Sequence, residues 1–172
     1  MKFKIIFIIL FIGQNIYSQN GREWNIGVEG VFTTKGLFSY PKASIKLDNV
    51  KIQSGVLIGK EYAHSATVLG GQIDFILFPN KEDKKTFNLF FISSTNYFKN
   101  NVSLNQSEVK TNFIQTTLGY GFNYNFSKSL LLKSNMGIGV LLENRKFSFD
   151  TNDPTNKWGV AGIISFGIAY RL

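Results

Sequence analysis

The only histidine in the chain, His64, lies beside the two other residue types that acyl transfer requires. Glu61 precedes it by three residues and Ser65 follows it directly, and a serine nucleophile needs a histidine base that a third group orients. Adjacent side chains on a strand point to opposite faces, so His64 and Ser65 cannot act together from a strand. We therefore interpret His64 as an exposed loop residue and assign no catalytic residue.

Metal and cofactor sites have equally few candidates. The chain has no cysteine, which excludes disulfides, thiolate metal centres and a cysteine nucleophile. Asp150, Asn152 and Asp153 resemble the start of a calcium loop, but the glycine and the terminal glutamate of such a loop are missing. We predict no metal site and no cofactor.

The charge balance is basic, with 19 lysine and arginine residues against 11 acidic ones and a formal net charge of +8. Most basic residues occur singly and form no stripe with interleaved aromatic residues, so we predict no nucleic-acid partner. Attraction to an anionic lipid surface fits this distribution better. Only 17% of the residues are charged, whereas about 25% is usual for a soluble domain.

The N-terminal residues 1–18 have the three parts of a secretory signal peptide. Lys2 and Lys4 are followed by the apolar segment Ile5–Ile12 and by a more polar stretch that ends at Ser18. The apolar segment is too short to span a bilayer as a helix, which takes about 20 residues. We predict cleavage between Ser18 and Gln19, which leaves residues 19–172 as one domain.

The elements that must position any functional side chain are strands, because apolar and polar residues alternate along the rest of the chain. In the C-terminal segment, Trp158, Val160, Ile164 and Phe166 share one face with Tyr170. The same alternation occurs within residues 23–33, 43–47, 50–59, 72–77, 87–92, 114–126 and 130–143. The sequence therefore predicts eight strands.

The connections between these strands alternate in length. Short ones are expected at Asp48-Asn49, Pro79–Lys85 and Ser127–Ser129. Longer polar stretches are expected at Thr33–Pro41, Lys60–Ser65, Tyr97–Lys110 and Asn144–Asn156. This asymmetry is typical of transmembrane barrels with short periplasmic turns and long extracellular loops.

The composition of the two strand faces indicates which one points inward. The polar face is rich in glycine, serine, asparagine and glutamine, which suits the narrow interior of an eight-stranded barrel. The apolar face carries tryptophan and tyrosine near the strand ends, where the membrane interfaces lie. We therefore predict that the apolar face contacts lipid; a soluble lipocalin-like barrel, with that face inside, is the alternative.

Charges inside a narrow barrel need partners. We predict that Glu23 near the start of the first strand meets Arg171 near the end of the eighth when the barrel closes. Lys51 and Asp74 lie on neighbouring strands and form a second predicted pair. A lumen filled by such pairs argues against an open pore.

The C-terminal residues Ser165, Gly167, Tyr170 and Leu172 match the spacing of polar, glycine, aromatic and hydrophobic positions in the insertion signal of outer-membrane barrels. With the signal peptide and the eight strands, the chain resembles the small barrel families of the OmpA/OmpX class. The resemblance implies an all-β, eight-stranded antiparallel up-and-down transmembrane β-barrel in the outer membrane. It also implies contact with outer-membrane lipid and lipopolysaccharide, and with the barrel-assembly machinery during insertion.

Two functional classes stay open. Some eight-stranded barrels deacylate or palmitoylate lipid A with histidine, serine and an acidic residue. The deacylase pattern of His, any residue, Ser and Asn is absent, because Ser65 follows His64 directly and precedes Ala66. We therefore predict a non-enzymatic barrel that acts through the Tyr97–Lys110 and Asn144–Asn156 loops on a surface ligand that the sequence does not identify. A lipid A-modifying enzyme is the alternative, and a narrow solute channel is a third.

Overall fold

The computed structural model describes residues 22–63, 67–79, 86–104, 107–147 and 155–172. Over these residues the chain forms strands β1 (Arg22–Thr33), β2 (Gly36–Leu47), β3 (Val50–Glu61), β4 (Thr67–Leu77), β5 (Phe87–Leu104), β6 (Ser107–Asn125), β7 (Leu130–Phe147) and β8 (Thr155–Arg171). No helix in this described part of the chain is long and apolar enough to cross a membrane.

The eight strands form one closed antiparallel barrel in which sequential strands are neighbours. Closure occurs between β1 and β8, where Ile26 pairs with Tyr170 and Phe32 pairs with Ile164. Closure matters because a sheet edge inside a bilayer would leave backbone N–H and C=O groups without hydrogen-bond partners. The predicted eight-stranded up-and-down barrel is confirmed.

The two faces of the strands have the predicted orientation. On β1, Asn25 and Glu29 are buried in the lumen, whereas Ile26 and Val28 are about half exposed on the outside. The outer face of β6–β8 is similarly apolar, and Leu118, Ile138 and Val160 are 69%, 74% and 77% exposed. A water-soluble barrel would bury such side chains, so the soluble alternative is wrong and the apolar face is the lipid-facing one.

Glycine permits the curvature of this small barrel where neighbouring strands approach closely. A Cβ atom on Gly119 would overlap the carbonyl oxygen of Met136, and one on Gly121 would lie 2.6 Å from Cζ of Phe90. Glycine at position 121 thus makes room for an aromatic ring inside the lumen.

Two of the predicted long loops, Thr33–Pro41 and Tyr97–Lys110, are largely strand, and the described residues at both ends of a third, Asn144–Asn156, are strand as well. β5 and β6 stay paired as far as Leu104 and Ser107, so most of Tyr97–Lys110 is a hairpin. β7 and β8 stay paired as far as Arg145 and Thr155. β2 begins at Gly36, so only two residues connect it to β1. The prediction failed because both faces of a strand can be polar beyond the membrane, and alternation then disappears.

Two of the predicted short connections, Asp48-Asn49 and Ser127–Ser129, lie at the opposite end of the barrel, whereas residues 80–85 of the third lie outside the described residues. Asp48 takes a left-handed backbone conformation with φ of 54° in the turn before β3, which aspartate tolerates better than most residues. The hydroxyl of Ser127 accepts hydrogen bonds from the backbone N–H groups of Ser129 and Leu130 and closes the turn before β7.

Candidate functional site

A buried glutamate, Glu29, is the centre of the polar lumen. Its carboxylate forms an ion pair and a hydrogen bond with the ammonium group of Lys42. Nζ of Lys133 lies 3.2 Å from the same Oε1 atom, in ion-pair range but without aligned hydrogen-bond geometry. The hydroxyl of Ser165 donates to Oε2 at 3.1 Å. Three strands besides β1 therefore supply partners to this one carboxylate.

A second buried carboxylate, Asp74, is joined to the first through amide side chains. Gln53 and Gln72 each donate a hydrogen bond to Asp74. The side-chain oxygen of Gln53 accepts a hydrogen bond from Lys42 at 3.2 Å, so Lys42 connects the two carboxylates. We call Glu29, Lys42, Gln53, Asp74, Lys133 and Ser165 the lumen network.

Apolar side chains fill the lumen on either side of this network. The upper cluster contains Val31, Phe38, Tyr40, Leu57, Val68, Phe98, Phe113, Leu141, Ala161 and Ile163, and the lower cluster contains Ile76, Phe78, Phe90 and Ile92. The rings of Phe98 and Phe113 stack with centroids 4.9 Å apart. Because Val31 follows Glu29 by two residues on β1, the upper cluster lies on the extracellular side of the network. Charges and aromatic rings thus occupy successive layers of the interior.

The extracellular rim holds two further buried carboxylates. Glu61 accepts a hydrogen bond from Asn100, whereas Glu143 forms ion pairs with Lys35, at 2.9 Å, and with Arg145. Glu61 was the acid in the histidine–serine–glutamate set, and its carboxylate points into the barrel toward β5. His64 and Ser65 themselves lie outside the described residues.

The predicted lumen pairs have different geometries. Nε of Arg171 lies 3.4 Å from Oε2 of Glu23 without hydrogen-bond alignment, and both side chains are partly exposed at the periplasmic mouth. Lys51 and Asp74 are both buried, but the register places Gln53 opposite Asp74, and Lys51 opposite Ile76. Sequence reasoning missed the Glu29 ion pairs, although each member was visible as a lone charge on a polar strand face.

The residues of the predicted insertion signal have structural positions of their own. Ser165 belongs to the lumen network, and a side chain at Gly167 would overlap that of Glu29. Tyr170 is half exposed to the outside, and the backbone N–H of Leu172 donates to the carbonyl of Trp24 at 2.9 Å. The predicted cleavage site at Ser18 and Gln19, and the acidic residues of the 150–153 segment, lie outside the described residues.

One half of the barrel is taller than the other. Strands β1–β4 have 11 or 12 residues, whereas β5–β8 have 17 to 19. The β5–β6 ladder continues for seven residues from the pair Tyr97–Ile114 to the pair Leu104–Ser107, about 23 Å along the strands. We call residues 98–104, 107–113, 143–147 and 155–157 the extracellular extension.

The described residues contain no group of three or more histidine, cysteine or acidic side chains that could hold a metal ion. The polar side chains of the described lumen form ion pairs and hydrogen bonds. The exposed surface of the extension is the other candidate functional feature.

Comparisons with solved structures identify the fold. The N-terminal β-barrel domain of OprF from Pseudomonas aeruginosa matches with a TM-score of 0.63 and 9% identity, over 87% of this chain and 97% of that one. Neisserial surface protein A matches with a TM-score of 0.58 and 11% identity, over 89% and 98% of the two chains. The outer membrane protein AlkL in lipid bilayers matches with a TM-score of 0.55 and 10% identity, over 90% and 92%.

No protein-family model and no curated protein sequence matches the chain. At these identities the structural matches establish the fold, which is that of small outer-membrane barrels. The apolar outer face and the charged interior agree with it. By fold and by surface, the chain is an integral membrane β-barrel of the outer-membrane type.

Proposed function

We propose that the protein is a non-enzymatic barrel of the outer membrane that binds a partner outside the cell through its extracellular extension. The observation that carries the proposal is the difference in strand length between the two halves of the barrel. Residues of β5–β8 beyond the apolar belt are not needed to cross a bilayer, for which 9–11 tilted residues suffice. A paired sheet above the membrane presents side chains on a rigid surface.

The interior supports a binding role over a transport role. The lumen network is enclosed between two clusters of packed aromatic and aliphatic side chains. A solute would have to displace both layers and separate buried charges, which costs several kcal/mol for each broken ion pair. Contact with other envelope proteins, with lipopolysaccharide or with host surfaces is therefore the function we favour.

Trimming the β5–β6 hairpin tests this proposal. Residues 102–109 are replaced by an Asn-Gly turn that joins Asn101 to Lys110, which are register partners and suit a two-residue connection. Cells that express the intact protein are expected to adhere to an epithelial cell layer, or to one another, several-fold more than cells without it. The trimmed variant should lose this gain while its barrel still folds.

The controls distinguish adherence from the two other candidate functions, lipid A modification and solute transport. Replacing the exposed turn residue Lys128 with glutamine at the opposite end should leave adherence unchanged. Adherence that is equal with and without the hairpin, or no greater than in cells that lack the protein, contradicts the proposal. A change in lipid A mass that disappears in His64→Ala would favour the enzyme, and arabinose-driven swelling of vesicles that contain the protein would favour a channel.

A further inference from the structure

The hydrogen-bonded ladder between β2 and β3 is interrupted in the middle of the barrel wall. Pairing stops at Ser39 and Ile58 and resumes at Lys42 and Gly55, so two positions on each strand are skipped. The other seven ladders are continuous over the residues that the structure describes. The β2–β3 seam therefore consists of an extracellular block of four pairs and a periplasmic block of six.

Proline at position 41 accounts for the interruption. The register on both sides of the gap places Pro41 opposite Val56, and proline has no N–H group to donate to the Val56 carbonyl. Pro41 keeps its pair with Val28 of β1, so the missing bond lies on the β3 side. Lipid supplies no replacement donor, and β2 and β3 are therefore held together less tightly here than along a continuous ladder.

The side chain of Tyr40 spans this gap inside the lumen. It is fully buried, and its hydroxyl donates to the backbone carbonyl of Gln72 on β4 at 3.2 Å. Gly55 of β3 lies opposite Gln72, and a Cβ atom at Gly55 would come within 2.7 Å of Cε2 of Tyr40. The ring therefore passes over β3 at a residue without a side chain and ties β2 to β4. We call this contact the tyrosine strap.

The two blocks of the seam are held together differently. In the periplasmic block, Lys42 donates a side-chain hydrogen bond across the seam to β3 at 3.2 Å. In the extracellular block, the lumen side chains Phe38 and Leu57 belong to the apolar upper cluster. Beyond its four pairs, the N–H of Tyr62 donates to the carbonyl of Lys35 at 2.9 Å. The extracellular block is thus the shorter one, and the contacts between its apolar lumen side chains are non-directional.

We propose that the extracellular block of the β2–β3 seam opens as a local unit while the rest of the barrel stays closed, and that the tyrosine strap limits this opening. Proteins open locally in contiguous units at a lower free energy than global unfolding requires. The interruption at Pro41 gives this unit its boundary, because opening need not propagate into the six pairs below. β3 keeps its continuous ladder with β4, so the β2 side is the one that moves.

This opening lies on the side of the barrel away from the extracellular extension. The ladders that join β5 to β8 have 16 to 18 pairs each, so the extension keeps a rigid base while the opposite wall parts. Opening uncovers Phe38 and Leu57 of the upper cluster. The shorter half of the barrel is therefore the conformationally variable half.

Amide hydrogen exchange of the full chain in lipid nanodiscs, measured residue by residue by NMR, tests the opening. In the intact protein, the amides of residues 56–60 on β3 should exchange faster than those of residues 136–140 on β7, which have continuous ladders on both sides. Tyr40→Phe removes the hydroxyl and keeps the ring, so exchange at 56–60 should rise about fivefold, the effect of one lost hydrogen bond. Pro41→Val restores an N–H group and keeps an apolar side chain toward lipid, so exchange there should slow by a similar factor.

Tyr120→Phe is the matched control, because that side chain is 59% exposed on the outer face, and it should leave exchange at 56–60 unchanged. Equal exchange of the two segments in the intact protein would overturn the proposal, and this comparison needs no variant. Equal acceleration of both segments in Tyr40→Phe would indicate global destabilisation and would also overturn it. Unchanged exchange in Tyr40→Phe would reject the strap. A gel shift on heating confirms first that each variant forms a barrel.

Discussion

At the scale of single residues, the barrel depends on how its buried charges are neutralised. Glu29 is 1% exposed and lies within ion-pair range of both Lys42 and Lys133. Each charge that is taken out of water in this way loses several kcal/mol of solvation free energy. Only an ion pair with good geometry offsets this loss. The lumen network therefore specifies one arrangement of the strands, since a shift of register would separate its members.

Replacing Glu29 with glutamine should strongly destabilise the protein, because it leaves two lysines buried without their counter-ion. Loss of one member of a buried pair costs about 3–5 kcal/mol. The free energy of unfolding in urea, followed by tryptophan fluorescence in lipid vesicles, measures the effect. Glu23→Gln is the control, since its side chain is 42% exposed at the mouth and exposed pairs contribute about 1 kcal/mol or less. Similar losses for the two variants would contradict a structural role for the network.

Two glycines provide a matched test of packing in the barrel wall. Gly121→Ala should destabilise by about 1–3 kcal/mol, the usual cost of overpacking, because the new methyl group would meet Phe90 and Asn135 at 2.6 Å. Gly30→Ala should be close to neutral, since its nearest neighbour is the Phe166 carbonyl oxygen at 3.8 Å. The urea concentration at the midpoint of unfolding distinguishes the two variants. Equal midpoints would contradict the close approach of the strands at Gly121.

At the scale of elements, β8 combines closure of the barrel with the pattern of the predicted insertion signal. Its residues pair with β7 on one side and with β1 on the other. Ser165 and Gly167 contribute to the packing around Glu29, whereas Tyr170 faces outward. One strand thus contains groups for folding in the lumen and groups for contact outside it.

Deleting Tyr170–Leu172 should prevent assembly, because it removes the Tyr170 pairing with Ile26 and the hydrogen bond from Leu172 to Trp24. The amount of protein in the outer-membrane fraction measures this. The double variant Tyr170→Ala and Leu172→Ala keeps the backbone ladder and removes the side chains alone. If the double variant assembles and the deletion variant does not, the effect comes from strand pairing. Normal insertion of the deletion variant would mean that the C-terminal match has no role.

At the scale of the whole molecule, closure leaves the described barrel without an unpaired strand among its eight. Unfolding must open a ladder that runs around the entire circumference, and the apolar outer face needs lipid or detergent throughout. The taller β5–β8 half adds a paired sheet above the membrane. Stability and surface presentation therefore come from one continuous sheet.

We expect the protein to fractionate with the outer membrane and to migrate differently on gels before and after boiling. A closed sheet has no free edge from which detergent can begin to unravel it, so it should stay compact in SDS until heated. Gel mobility of the membrane fraction with and without boiling measures this. Mobility that is unaffected by boiling, together with recovery in the soluble periplasm, would contradict the architecture.

Strand number, strand orientation and the short turns could be predicted from the sequence because each is a local property. Alternation with period two is visible wherever one face contacts lipid and the other a polar lumen. Within residues 87–92 the inward-facing Phe90 and Ile92 blur the alternation, because an apolar side chain in the lumen is of the same residue type as one that faces lipid. Only the packing around Phe78 and Gly121 resolves them.

The tertiary structure decided the register, and with it the partners of the buried charges. Glu29 and Lys42 lie on neighbouring strands of one hairpin, but Lys133 lies far along the chain on β7 and reaches Glu29 only because closure pairs β1 with β8, the neighbour of β7. The ends of β5–β8 were equally inaccessible to pattern analysis. Polar residues such as Asn100, Thr111 and Glu143 are buried on the inner face there, and polar residues also face outward, so apolar and polar residues no longer alternate. The sequence by itself determined which face most membrane-crossing residues take, because contact with lipid constrains residue type locally. Which residues meet across the barrel depends on closure of the whole sheet.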